Sequence, residues 1–251
     1  MSKVLVTGMS GLIGTALRRE IEGEHQLSAL NRSSVAGVTT TRASLADLEA
    51  IRGAFEGQDI VVHLAAKISD SYGWDDLLAT NVVGTRNVFE AAAQAGVKRI
   101  VFASSGATVA GWERVEPYRA LVAGDYDRVP EHLPLIDETM PTRPANLYAS
   151  TKVWGEAIAR HYADSFDLSI VCLRIGWTSA EDRPTEPRHY AVWNSQRDVV
   201  SAFRLAMTAD LEERFETLFV LSNNHRGYRN IDRARRLLGF EPADSAEDYR
   251  N

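Results

Sequence analysis

The chain has 251 residues, of which 28 are Lys or Arg and 34 are Asp or Glu, giving a formal net charge of −6. That balance, with no basic cluster, argues against nucleic acid or an anionic membrane surface as a partner. Apolar residues make up 45% and charged residues 25%, as in soluble globular proteins, and no apolar run approaches the ~18 residues of a membrane span.

The chain enters a strand-like run at once, Met1-Ser2-Lys3-Val4-Leu5-Val6, without the layout of a signal peptide. Residues 4–6 read as a first strand, and 12–21 carry apolar positions at helical spacing. A second strand is predicted over 27–30, a weak third near 38–41, and a helix over 45–55. A fourth strand over 60–64 precedes a helix over 77–95, and a fifth strand follows over 100–103. Gly111 to Arg143, with Pro117, Pro130, Pro134 and Pro141, is expected to be one long irregular stretch, the kind that forms lids and site walls. Helix 147–162, strand 168–173, helix 199–206 and strand 218–221 complete the series. The lone Cys172 lies within an apolar strand; it excludes an internal disulfide and a Cys-cluster zinc site and fits a reducing, cytoplasmic setting. Strands apolar on both faces and separated by helices imply a parallel sheet covered on each side. Right-handed crossovers make it a doubly wound α/β fold of Rossmann type.

After the first strand comes Thr7-Gly8-Met9-Ser10-Gly11-Leu12-Ile13-Gly14, spaced Gly-x-x-Gly-x-x-Gly. The first glycine permits a tight turn, the second lets backbone approach a pyrophosphate, and the third lets helix pack on strand. The helix start near Gly11 and Leu12 offers unpaired N–H groups and a positive dipole end to phosphate. Strand before and helix after are the context that marks this turn as dinucleotide-binding.

The end of the second strand selects between the two nicotinamide dinucleotides. An acidic residue there binds a ribose 2′-hydroxyl, whereas an Arg accommodates a 2′-phosphate. This chain has Asn31-Arg32-Ser33-Ser34, with no carboxylate, so NADP is expected, with NAD as the alternative if Arg32 is only a surface arginine.

Tyr148-Ala149-Ser150-Thr151-Lys152 opens a predicted helix, so phenol and ammonium share a face. A lysine beside the phenol is expected to lower a tyrosine pKa that starts near ~10, readying Tyr148 as acid and base for a hydroxyl or carbonyl.

With these motifs the chain resembles the short-chain dehydrogenase/reductase superfamily, in its extended branch with the NAD-dependent epimerase/dehydratase sequences. His63-Leu64-Ala65-Ala66 at the end of the fourth strand and Asn81-Val82-Val83-Gly84-Thr85 in the next helix extend the likeness over nearly the whole chain. The resemblance implies that Leu64, Ala65, Ala66 and Lys67 line the cofactor together with Ser10, Ile13, Ser44, Leu45 and Ile175. It gives Asn81 a structural or cofactor-side role and makes His63 a packed strand residue; none of the six His shows metal-ligand spacing with another, so no metal is expected. The third catalytic group of the family is a hydroxyl after the fifth strand, in Ala103-Ser104-Ser105-Gly106-Ala107. Counted from the strand end it is Ser105; counted back from Val109 and Gly111, the position falls on Gly106, which has no hydroxyl.

The C-terminal part is similar to the compact hexuronate (uronate) dehydrogenases, in Leu173-Arg174-Ile175-Gly176, in Arg188-His189-Tyr190-Ala191-Val192-Trp193-Asn194-Ser195 and in Leu238 to Glu247. The likeness implies a single domain over 1–251 with a small substrate-binding portion near 176–195 and 222–251. Arg188 would hold a substrate carboxylate with its planar fork, beside Ser69, Ser105 and Trp177. The wall at Gly106-Ala107 departs from that family, so a rebuilt pocket is expected. The leading expectation is an NAD(P)-dependent oxidoreductase acting on a small sugar or sugar acid at its anomeric carbon; an epimerase or carbonyl reductase of the same family is the first alternative. A nucleotide-sensing regulator without turnover is the second, and the Tyr148/Lys152 pair argues against it. A helix-paired homodimer is common in the superfamily and is expected here.

Overall fold

The computed structural model describes residues 1–250. Seven strands, β1 (Lys3–Thr7), β2 (Gln26–Asn31), β3 (Thr39–Arg42), β4 (Ile60–His63), β5 (Arg99–Ser105), β6 (Ser169–Ile175) and β7 (Phe215–Val220), form one sheet in the order β3-β2-β1-β4-β5-β6-β7. Every pairing in it is parallel. The chain builds outward from β1 to β3, then returns to place β4 on the other side of β1. The crevice between the carboxyl ends of β1 and β4 is therefore the topological switch point, where doubly wound sheets bind ligands.

Burial explains which strands were easy to see. All four residues of β4 are buried, as are the inner five of β6. By contrast β3 is Thr-Thr-Thr-Arg at the sheet edge, held by β-branched residues with little apolar surface. Helices α1 (Leu12–Ile21) and α8 (Gln196–Thr208) cover one face, burying Leu17, Ile21, Val199 and Phe203 against Val4, Val6, Val62 and Val101. Helices α2 (Leu48–Arg52), α4 (Gly84–Ala95) and α6 (Leu147–Ser165) cover the other, where Ile51, Phe89 and Tyr162 meet Leu5, Val61 and Phe102.

Three elements differ from expectation. The helix expected over 45–55 begins only at Leu48, because the Asp47 side chain accepts from the Ala50 amide and caps it there, and its last turn is a 3₁₀ turn. The helix expected over 77–95 starts earlier, with α3 (Trp74–Leu77), and passes through a π-helical segment, Leu78–Val83, before α4. The stretch 111–143 is not structureless. A 3₁₀ helix, Gly106–Arg114, runs into it, and α5 (Tyr118–Ala123) follows with Tyr118, Ala120 and Leu121 buried. Two short helices went unpredicted, α7 (His189–Val192) and α9 (Asp232–Leu238); the latter docks Ala234 and Leu238 into the same core as α8.

Candidate active site

The glycine turn sits at the switch point. Gly8 has φ +72°, and a Cβ there would fall 2.8 Å from the Ala65 amide nitrogen at the end of β4. A Cβ on Gly14 would meet the Gly8 carbonyl at 2.6 Å, so turn and helix lie in direct contact. The α1 N-terminus has no side-chain cap and no acidic residue in its first turn, which leaves its N–H groups and dipole open to an anion. Asn31 ends β2 beside the turn. Its Oδ1 accepts from the Met9 amide (3.0 Å), while its buried Nδ2 has no partner. An orphaned buried donor at the rim of a glycine cradle suits a ribose hydroxyl, so these residues fit a dinucleotide. Arg32 and Ser33, next in the chain, are exposed.

Threonine and histidine hold the crevice walls. Thr7 Oγ1 lies 2.7 Å from His63 Nδ1 and accepts from the Ala65 amide, and His63 Nε2 is 3.2 Å from Thr85 Oγ1. With both ring nitrogens engaged and the ring buried, His63 is held neutral, its pKa lowered to about 3 by burial and by the nearby Lys152 charge. Among the described residues no three His, Cys, Asp or Glu side chains are grouped to ligate a metal. Asn81, in the π-helical segment, accepts from the Lys67 amide (2.8 Å) and donates to the Lys67 carbonyl and to Thr151 Oγ1. All its polar atoms serve to clamp the β4 loop onto α6. Lys67 itself reaches away, to Asp76 (2.9 Å). Leu45 packs on Gly84 and its carbonyl accepts from Asn87, while Ser44 caps the Ala46 amide. The Ser69 hydroxyl is bonded to Ser71, and Trp177 stacks on His189 with ring centroids 3.4 Å apart.

The reactive end is assembled from β5 and α6. Asn146 caps the Ala149 amide, and Asp70, from the loop after β4, accepts from the Leu147 and Tyr148 amides at 3.1 and 2.7 Å. These caps fix the turn that carries Tyr148. The Ser105 hydroxyl lies beside the Tyr148 phenol and also accepts from the Ala107 amide. Lys152, one turn on, is buried, donates to the Ala103 carbonyl at 2.7 Å and stands 5.8 Å from the Tyr148 ring centroid. The expected lowering of the Tyr148 pKa does not hold for the chain by itself: burial raises it, and the Ser105 contact offsets only part of the rise. The ammonium is turned to a carbonyl, and burial lowers its own pKa to about 8, with Cys172 and Glu156 opposing. Below it, Arg174 grips Glu156 through two hydrogen bonds of 2.9 and 2.7 Å, and Ser104 donates to the same carboxylate. This buried pair was not evident from sequence, since Glu156 is merely the next residue on the Tyr148/Lys152 helix face.

Arg188 does not stand free. Its Nε and Nη2 donate to the two carboxylate oxygens of Glu113, at 2.6 and 2.9 Å. Tyr228 also donates to Glu113 (2.6 Å), and Arg229 donates to Tyr228 and presses its guanidinium onto Gly106. Burial would raise the Glu113 carboxyl, but the Arg188 hydrogen bond and charge, with Arg229 and Tyr228, hold it below the usual range. Asp70, Glu113 and Arg229 are the residues that sequence reasoning missed; each acts through a partner far away in the chain.

A parallel doubly wound sheet with a glycine cradle at its switch point and a Tyr/Lys pair beside it defines a dinucleotide-dependent oxidoreductase of the short-chain type. The NAD dependent epimerase/dehydratase family model matches residues 4–194, and the chain belongs to that family. It is 34% identical to an NAD-dependent glucose-6-phosphate dehydrogenase of Haloferax volcanii, over 98% of this chain and 95% of the relative. An L-arabinose 1-dehydrogenase (NAD(P)(+)) of the same organism is 30% identical, over 98% of each. The crystal structure of uronate dehydrogenase from Agrobacterium tumefaciens superposes with a TM-score of 0.82 at 28% identity, covering 100% of this chain and 87% of that one.

Proposed function

We propose that the protein is an NAD(P)-dependent dehydrogenase that oxidises a small sugar at its anomeric carbon. The observation that carries this reading is the convergence of Ser105, Tyr148 and Lys152 beside the glycine cradle; the sugar dehydrogenases among its relatives support the substrate class. When bound, the oxidised dinucleotide supplies a positive charge and the acceptor for the hydride leaving the carbinol carbon. Ser105 donates to the substrate oxygen, and Tyr148 takes the proton its hydroxyl loses. Lys152 keeps N–H donors beyond the one spent on Ala103 for the ribose and the phenolate. Gly8, Ser10, Gly11, Leu12, Ile13, Gly14 and Asn31 hold the dinucleotide, and segments 176–195 and 222–250 close the substrate side of a single domain; residue 251 lies outside the described residues.

The same reading makes NADP the preferred cofactor, because Asn31 offers a donor where an acid would accept and Arg32 is free to meet a 2′-phosphate. It places the chain in the cytoplasm, as a homodimer paired through helices, which the exposed Trp74, Leu78 and Val83 along one helical stretch favour. No helix among the described residues is long and apolar enough to cross a membrane. The test is Tyr148→Phe. Turnover should fall at least ~10²-fold while the dinucleotide Kd, read by fluorescence titration, stays within about twofold of wild type. A variant that keeps near-normal turnover places the proton path elsewhere.

A further inference from the structure

The substrate wall next to Ser105 carries its own carboxylate. Gly106 follows Ser105 directly, and a Cβ on it would lie 2.0 Å from Arg229 Nη1 and 2.6 Å from its Cζ. The guanidinium thus fills the space of a side chain at 106. From there the contacts run in one chain: Arg229 to the Tyr228 hydroxyl (2.9 Å), Tyr228 to Glu113 (2.6 Å), and Glu113 to the Nε/Nη2 fork of Arg188. Only the far end of this chain is open. The Arg229 side chain is 2% exposed and that of Arg188 33%, so Arg188 is the guanidinium that a solute can reach.

We propose that Glu113 is a specificity-determining residue that closes Arg188 to acidic substrates and sets the site for the uncharged aldose. The proposal rests on the sugar-dehydrogenase reading above and adds to it the charge of the substrate. A carboxylate on the sugar would want the Nε/Nη2 edge, the geometry in which a guanidinium binds an acid most strongly. Glu113 occupies that edge with both oxygens. Displacing it would strand a carboxylate that is only 12% exposed and is gripped by Tyr228 as well. Formal charge alone does not repel an acid, since two guanidiniums share one carboxylate; the closed fork and the neighbouring like charge do. The hydroxyl of a neutral sugar needs neither, because it can accept from the Nη1 group that Glu113 leaves open.

The experiment compares kcat/KM for galactose and galacturonate, and for glucose and glucuronate, in wild type, Glu113→Gln and Glu113→Ala, with thermal unfolding to verify folding. Wild type should favour the aldose at least tenfold. Both variants should shift the uronate-to-aldose ratio at least tenfold toward the acid, and adding Arg188→Ala to Glu113→Gln should remove that gain. A merely structural Glu113 would lower both substrates together and leave the ratio unmoved. Wild type that prefers the uronate, or turnover with an unchanged ratio in both folded variants, overturns the proposal alone. Absence of cofactor reduction with every sugar in every protein overturns the sugar reading, and the proposal with it.

Discussion

In the proposed catalytic pair, half-buried Tyr148 and buried Lys152 are both pushed away from the charge states that proton transfer would need. Burial raises the phenol and lowers the ammonium to about 8, so both are shifted toward their uncharged forms, while at pH 7 Lys152 still carries most of its charge. On the proposed reading, the positive charge of an oxidised dinucleotide beside Tyr148 would lower the phenol again, which ties its work as a base to an occupied cofactor site. At the cradle, the proposed preference for NADP rests on the exposed Arg32. Arg32→Ala should weaken NADP by ~1.5–3 kcal/mol, the scale of a hydrogen bond to a charged group, and leave NAD nearly unchanged. Titration of both cofactors against wild type and variant reads this directly, and equal losses for the two would remove Arg32 from phosphate recognition.

Helix α6 is the element that makes the site, and its first turn is held from outside. Asn146 is a local cap that sequence can suggest. Asp70 is different: it lies 78 residues before Tyr148 and accepts from the two amides that open the helix. A carboxylate there also meets the positive end of the helix dipole. Asp70→Ala should cost ~0.5–2 kcal/mol of stability, as for other lost caps. It should lower kcat more than it raises KM, because the turn bearing the phenol loosens. Denaturant unfolding and steady-state kinetics check both effects; a stability loss with unchanged kcat would make Asp70 a structural cap only. The π-helical segment works alongside it. It brings Asn81 to where one side chain ties Lys67 and Thr151 together, linking the β4 loop to the second turn of the same helix.

Across the whole molecule, the sheet and the cradle were legible because their signals are local. A run buried on both faces, a glycine spacing and an i,i+4 pair each lie within a few residues. The edge strand β3 was faint because threonine and arginine carry little apolar signal, and α5 was hidden by prolines on either side. What could not be read were pairings across the fold, such as Glu113 with Arg188, 75 residues apart. His63 shows what global burial adds. Its pKa falls from 6.5 when unfolded to about 3 in the folded chain. Between those values the unfolded chain binds a proton that the folded chain does not, so stability rises with pH there and falls on acidification. The loss through this group should approach ~1.4 kcal/mol per pH unit below 6.5. Urea unfolding of wild type and His63→Gln at a series of pH values should show a shallower dependence in the variant; parallel curves would contradict a neutral buried His63.

Hydride transfer from a sugar, as proposed, is read most directly from its two products. Purified protein with NADP or NAD is mixed with pentoses, hexoses, hexose phosphates and hexuronates while reduced cofactor and sugar lactone are followed together. At least one aldose should give the two products in equal amounts, with Tyr148→Phe silent on the same sugar. Tight binding of the dinucleotide with no reduced cofactor formed from any of these sugars would contradict the account.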